Sequence, residues 1–127
     1  MPAAQVLVVE DNEKNMKLFR DVLYASGYGL LEATTGEQAL KLALEHEPNL
    51  VLMDIQLPDL DGVEALGRLR ANERTASIPV VALTAQAMQG DRERFIAAGF
   101  DGYISKPVNV AEFVETVKEH CEGLRDE

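Results

Sequence analysis

The sequence predicts an α/β three-layer sandwich, a (βα)5 arrangement in which a parallel sheet lies between two layers of helices. Three observations predict it. Short apolar runs alternate with segments of helical period five times over, the main runs are continuous rather than alternating, and several of them stop abruptly at a charged or hydroxyl residue. Continuous apolar runs belong to strands buried on both faces, and strand–helix alternation implies right-handed crossovers between parallel strands. A chain of 127 residues is long enough to bury a core without staples, so the expectation is one domain over 1–127.

The first strand, β1, covers 5–9 and ends at Glu10 and Asp11. Asn12 is suited to cap a helix running to Gly27, α1, whose apolar positions Met16, Phe19, Val22 and Leu23 recur at helical spacing; Gly27 supplies the left-handed stop. A weaker strand, β2, spans about 29–33. Thr35 and Gln38 then form a capping box for a helix, α2, that runs to about 46 before Pro48 forbids continuation. Residues 50–53 make a second buried run, β3, that stops at Asp54. Beyond the loop IQLPDLDG, where Asp59 and Asp61 read as turn residues, Val63, Leu66 and Leu69 mark helix α3. The run IPVVALT at 78–84, β4, ends in Thr84. A helix over about 87–98, α4, stops at Gly99; GYIS at 102–105, β5, leads to Lys106 and Pro107. Asn109 with Glu112 caps the last helix, α5, whose apolar stripe is Val110, Phe113, Val114, Val117, Cys121 and Leu124. The terminal RDE reads as a frayed end.

Charge excludes one function class. Twelve Lys and Arg face 22 Asp and Glu, a formal net charge of −10, whereas nucleic-acid affinity rests on clustered cations. No apolar run approaches the roughly 20 residues of a spanning helix, and the N-terminus lacks a basic segment followed by an apolar one, so the expectation is a cytoplasmic protein without membrane insertion. Cys121 is the only cysteine, which leaves no intramolecular disulfide.

In an open parallel sheet, ligands bind beyond the carboxyl ends of the strands. Glu10, Asp11, Asp54, Thr84 and Lys106 all fall at or just past such ends. One acid at a strand end is unremarkable, but three carboxylates converging there repel unless a cation compensates, and oxygen ligands suit Mg²⁺. Such an ion neutralises an incoming phosphoryl group, a lysine adds positive charge on the other side, and Asp54 becomes a nucleophile toward phosphorus. The Thr84 hydroxyl and the backbone N–H of Ala85 are donors for the new phosphoryl oxygens.

Through VVEDN at the first strand end, LMDIQLPDLDG around Asp54, ALTA at Thr84 and YISKP near the end, the chain resembles the CheY-like receiver domain of two-component response regulators over nearly its whole length. The resemblance implies a five-stranded parallel sheet in the flavodoxin-like order 2-1-3-4-5, and phosphorylation of Asp54 from a histidine kinase or histidine phosphotransfer protein. It further implies that Asp11, Asp54 and the backbone carbonyl of Gln56 ligate Mg²⁺, or Mn²⁺ in its place, and that Glu10 acts through water. Lys106 pairs with the phosphoryl group, the Lys106–Pro107 peptide is cis, and Thr84 and Tyr103 move on phosphorylation so that partner proteins read the α4-β5-α5 face, including Met88, Phe95, Tyr103 and Val110. Gln56 and Gln86 match positions that tune phosphoryl lifetime. Within the family, EDNEKNMKLF, MDIQLP, AMQGD and YISKP are closest to a stand-alone cell-division regulator, a monomer or weak phosphorylation-dependent dimer. Receivers excised from hybrid histidine kinases carry similar EDN and SKP strings.

Plainer readings compete. Asp54 alone would be a solvated strand-end acid, Tyr103 a half-buried edge aromatic, His46 and His120 cations at helix C-termini, and Cys121 a core residue. A Mg²⁺-dependent aspartyl-phosphate phosphatase of haloacid dehalogenase type needs a second aspartate two positions beyond the nucleophile, where Gln56 stands; the expectation is no enzyme beyond its own phosphotransfer and slow autodephosphorylation. A nucleotide or flavin binder needs glycine in the β1 turn, and VEDNEKN has none.

Overall fold

The computed structural model describes residues 4–85 and 91–121. In chain order come β1 (Gln5–Val9), α1 (Glu13–Ala25), β2 (Gly29–Ala33), α2 (Gly36–His46), β3 (Leu50–Asp54), α3 (Gly62–Ala71), β4 (Val80–Thr84), α4 (Asp91–Ala98), β5 (Gly102–Ser105) and α5 (Val110–Cys121). All strand pairs are parallel, and the sheet order is β2-β1-β3-β4-β5.

Local chemistry sets the helix ends. The Asn12 side chain accepts from Asn15 N at 3.0 Å, Asn109 from Glu112 N at 3.0 Å, and Asp61 from Glu64 N at 2.8 Å. Gly27 and Gly99 adopt φ of 86° and 113°, the left-handed region in which a helix terminates without a Cβ penalty. At α2, Thr35 Oγ1 accepts from Gln38 N at 3.1 Å, but the Gln38 side chain reaches back to Thr34 N at 2.9 Å, one residue earlier than a regular capping box.

Alternate strand residues point to opposite faces and build two core layers. Val6, Val8, Leu50, Leu52, Val81 and Leu83 pack with Met16, Phe19 and Leu23 of α1 and with Phe113, Val117 and Cys121 of α5. Leu7, Val9, Val51, Met53, Val80 and Ala82 pack with α2, α3 and Phe95 of α4. Phe19 and Phe113 stack at 5.1 Å, joining α1 to α5. Truncating either buried ring costs roughly 3–5 kcal/mol.

Three expectations need correction. Val63 is 43% exposed, because α3 turns Gly62, Ala65, Leu66 and Leu69 inward; the small residues carry the buried face that Val63 was expected to share. Val110 is 45% exposed and stands outside the stripe of α5. β4 begins at Val80 rather than 78, since Ile78 N bonds Thr75 O in the preceding turn. Leu124, and the start of α4 expected at 87, lie outside the described residues.

The sheet order places the site. α1 carries the chain from β1 to β2 on one face, α2 returns it past β1 to β3 on the other, and the order reverses between β1 and β3. The crevice opens there, at the carboxyl ends of those strands.

Candidate functional site

Glu10 follows β1 directly and is only 1% exposed; its backbone N–H bonds Ala33 O at 2.9 Å. Its Oε2 accepts from Asn12 N at 3.2 Å and from Asn15 Nδ2 at 3.4 Å, so the first turn of α1 aims the carboxylate at the crevice. Asp11 is exposed at the rim. Asp54 ends β3, 6% exposed, and its Oδ1 accepts from Gln56 N at 2.9 Å. A Cβ on Gly62 would lie 2.8 Å from the Asp54 carbonyl oxygen and 2.9 Å from Ile55 Cα, so α3 starts closer to the end of β3 than any other residue would permit.

Lys106 enters from the end of β5. Its N–H bonds Thr84 O at 2.8 Å, and the following Lys106–Pro107 peptide is cis. Its Nζ donates to Asp54 Oδ2 at 3.0 Å and forms an ion pair with Glu10 Oε1 at 2.9 Å. The second contact is poorly aligned: among the described residues no hydrogen bond of good angle reaches the buried Glu10 Oε1. Burial pushes the Glu10 carboxyl above its ordinary range, with the Asp54 charge adding to it and Lys106 opposing. Burial by itself would lower Lys106, but the two carboxylates outweigh it and hold the ammonium above its ordinary value.

Ligand oxygens of Glu10, Asp11 and Asp54 lie within 4.8 Å of one another. Three carboxylates against one ammonium leave an excess of two negative charges in a cleft of about 370 Å³. An all-oxygen donor set, uncompensated charge and one buried carboxylate oxygen without an aligned donor fit a hard divalent cation. Asn12, Asn15, Ile55, Gln56, Thr84, Ala85 and Lys106 line the same cleft. The structure thus brings together Glu10, Asp11, Asp54, Gln56, Thr84, Ala85 and Lys106, seven residues from four strand ends.

Tyr103 lies apart from them. It pairs with Ala82 across the sheet, is half-buried, and packs its ring 6.1 Å from Phe95. Phe95, expected on the partner-reading surface, is only 2% exposed because it also meets Phe100 edge-on at 6.0 Å; its neighbour Ile96 is 45% exposed, as is Val110. Met88 and Gln86 lie outside the described residues. Asp59 and Asp61 are more than turn residues: Asp61 caps α3, and the Asp59 carboxylate receives Gly36 N at 2.7 Å and Glu37 N at 3.0 Å. No spacing in the sequence signals that long-range contact.

No helix among the described residues is long and apolar enough to cross a membrane. Residues 6–118 match the family model of the response regulator receiver domain. The polar-differentiation response regulator DivK of Brucella ovis is 52% identical over 115 residues, covering 91% of this chain and 94% of its own. Among solved structures, the receiver domain of a sensor histidine kinase from Pseudomonas aeruginosa, with a magnesium ion coordinated in its active site cleft, superposes with a TM-score of 0.86 at 36% identity, covering 94% and 98% of the two chains. The receiver domain of the Saccharomyces cerevisiae response regulator Ssk1, in complex with the histidine phosphotransfer protein Ypd1, superposes with a TM-score of 0.84 at 30% identity, covering 94% and 90%.

Proposed function

The chain belongs to the response regulator receiver family, and from that premise we propose that it is a phosphorylation switch whose acceptor is Asp54. The observation that carries this reading is the placement of the Asp54 carboxylate, nearly buried at a strand end, 3.0 Å from Lys106 and within a cluster of three acids. The donor is a phosphohistidine on a kinase or phosphotransfer protein, a reading supported by the Ypd1-bound neighbour. An Asp54 oxygen forms its bond to phosphorus as the P–N bond breaks, and the imidazole nitrogen keeps the electron pair. Asp11, Asp54 and the Gln56 carbonyl would hold Mg²⁺ or Mn²⁺, with Glu10 contributing through water, and the ion would supply charge neutralisation for the phosphoryl oxygens. Lys106 neutralises from the opposite side. The Thr84 hydroxyl and the Ala85 N–H donate to the oxygens that arrive.

The output is a change of partner rather than turnover. Phosphoryl binding at Thr84 biases α4 and Tyr103 between two arrangements, and a protein partner reads the face made by α4, β5 and α5. The DivK relatives, named for polar differentiation and matched over 94% of their own length, support a stand-alone regulator of cell division or polarity. The histidine kinase receiver from Pseudomonas aeruginosa supports a second reading, a receiver serving a hybrid kinase. Beryllofluoride with Mg²⁺ tests the switch: amide NMR signals should shift at Asp54, Thr84 and Tyr103 together. A response confined to the neighbours of Asp54 would contradict it.

A further inference from the structure

The loop 55–61 joins the acceptor strand to α3 and is closed on itself at its base. Gln56 pairs with Asp61 in a single antiparallel bridge, Gly62 N bonds Ile55 O at 2.8 Å, and Ile55 N bonds Leu83 O at 3.0 Å. Its tip is held elsewhere. The first N–H groups of a helix lack intrahelical partners and normally find them locally. In α2, Thr35 Oγ1 satisfies only Gln38 N, while Gly36 N and Glu37 N donate to the two oxygens of Asp59, 23 and 22 residues away. The positive end of the helix favours the carboxylate there. The approach is close: a Cβ on Gly36 would sit 2.9 Å from Leu60 Cδ1.

Asp59 does not line the acidic cleft. We propose that it is a positioning residue for the metal site, clamping the loop onto the first turn of α2 so that the Gln56 carbonyl, three residues earlier, keeps its place beside Asp54. The inference rests on the reading of Gln56 as a backbone ligand. Such a ligand has no side chain to steer it, and its position depends wholly on how the loop is pinned.

The test is calorimetric Mg²⁺ titration of the full chain without phosphodonor, together with amide hydrogen exchange. Asp59→Ala should weaken Mg²⁺ binding roughly tenfold, as loss of an outer positioning contact does, and speed exchange at Gln56 and Gly62. Thr35→Ala removes the cap on Gln38 N at the same helix end while leaving the Asp59 bonds in place, and should leave the affinity unchanged. Equal weakening by both variants, or none from Asp59→Ala, overturns the proposal. Should Asp59→Ala fail to fold, Asp59→Asn, which keeps one acceptor oxygen, should give intermediate affinity; wild-type affinity in it overturns the proposal equally. Asp11→Ala separates the two levels. Loss of Mg²⁺ there with none in Asp59→Ala removes the positioning role alone, whereas retention there removes the metal reading and this inference with it.

Discussion

The two ends of the sheet each hold a cation among acceptors, and they differ in how well it is matched. At the amino ends of β4 and β5, Arg70 donates to Ala76 O at 3.0 Å, Ile78 O at 2.7 Å, Gly99 O at 3.2 Å and Asp101 Oδ2 at 2.9 Å, while Asp101 also accepts Val80 N at 2.8 Å. One carboxylate meets one guanidinium, and the guanidinium fork also ties down carbonyls of two turns. At the carboxyl ends, Lys106 faces Glu10 and Asp54, with Asp11 nearby, and among the described residues no aligned donor reaches a buried oxygen of Glu10. The balanced end stabilises the fold. The unbalanced end stores a demand for positive charge, which a ligand can meet.

The comparison breaks most visibly at Arg70. Arg70→Ala removes the side-chain donor of three carbonyls and the cation beside Asp101, which keeps only Val80 N, so it should lower unfolding free energy by about 2–3 kcal/mol in denaturant melts while leaving Mg²⁺ affinity unchanged. A stable variant with altered Mg²⁺ binding would reverse the assignment of the two ends.

At the other end the sign is opposite and the effect smaller. Burial raises the Glu10 carboxyl, so the stability linked to it is fully present below the unfolded carboxylate value and is lost as pH rises through the folded value. At neutral pH without divalent ions the charged form is therefore a cost. Glu10→Gln should melt above wild type in chelator at pH 7, with the gap closing as pH falls through the carboxylate range, and should gain less from added Mg²⁺. A variant less stable than wild type at pH 7 would mean that the ion pair with Lys106 outweighs burial.

How much of this was legible in the sequence follows the same division. β1, β2 and β5 have the expected bounds, because an apolar run that ends at a charged or turn residue marks both burial and exit from the sheet. Asp54, Glu10, Thr84 and Lys106 were readable as strand-end residues for the same reason. Helix phase was less secure where small residues carry the buried face, which left Val63 pointing outward, and Phe95 is hidden by two aromatic neighbours contributed by later segments. Arg70 with Asp101 and Asp59 with Gly36 were invisible, since hydrogen bonds across 31 and 23 residues leave no periodicity to detect.

The most direct test of the acceptor is Mg²⁺-dependent labelling by acetyl phosphate, followed by intact mass and by mapping of the modified residue. One phosphoryl group per chain should appear on wild type, vanish with chelator and be absent from Asp54→Asn. Undiminished labelling of Asp54→Asn, or labelling of wild type indifferent to chelator, would contradict the account.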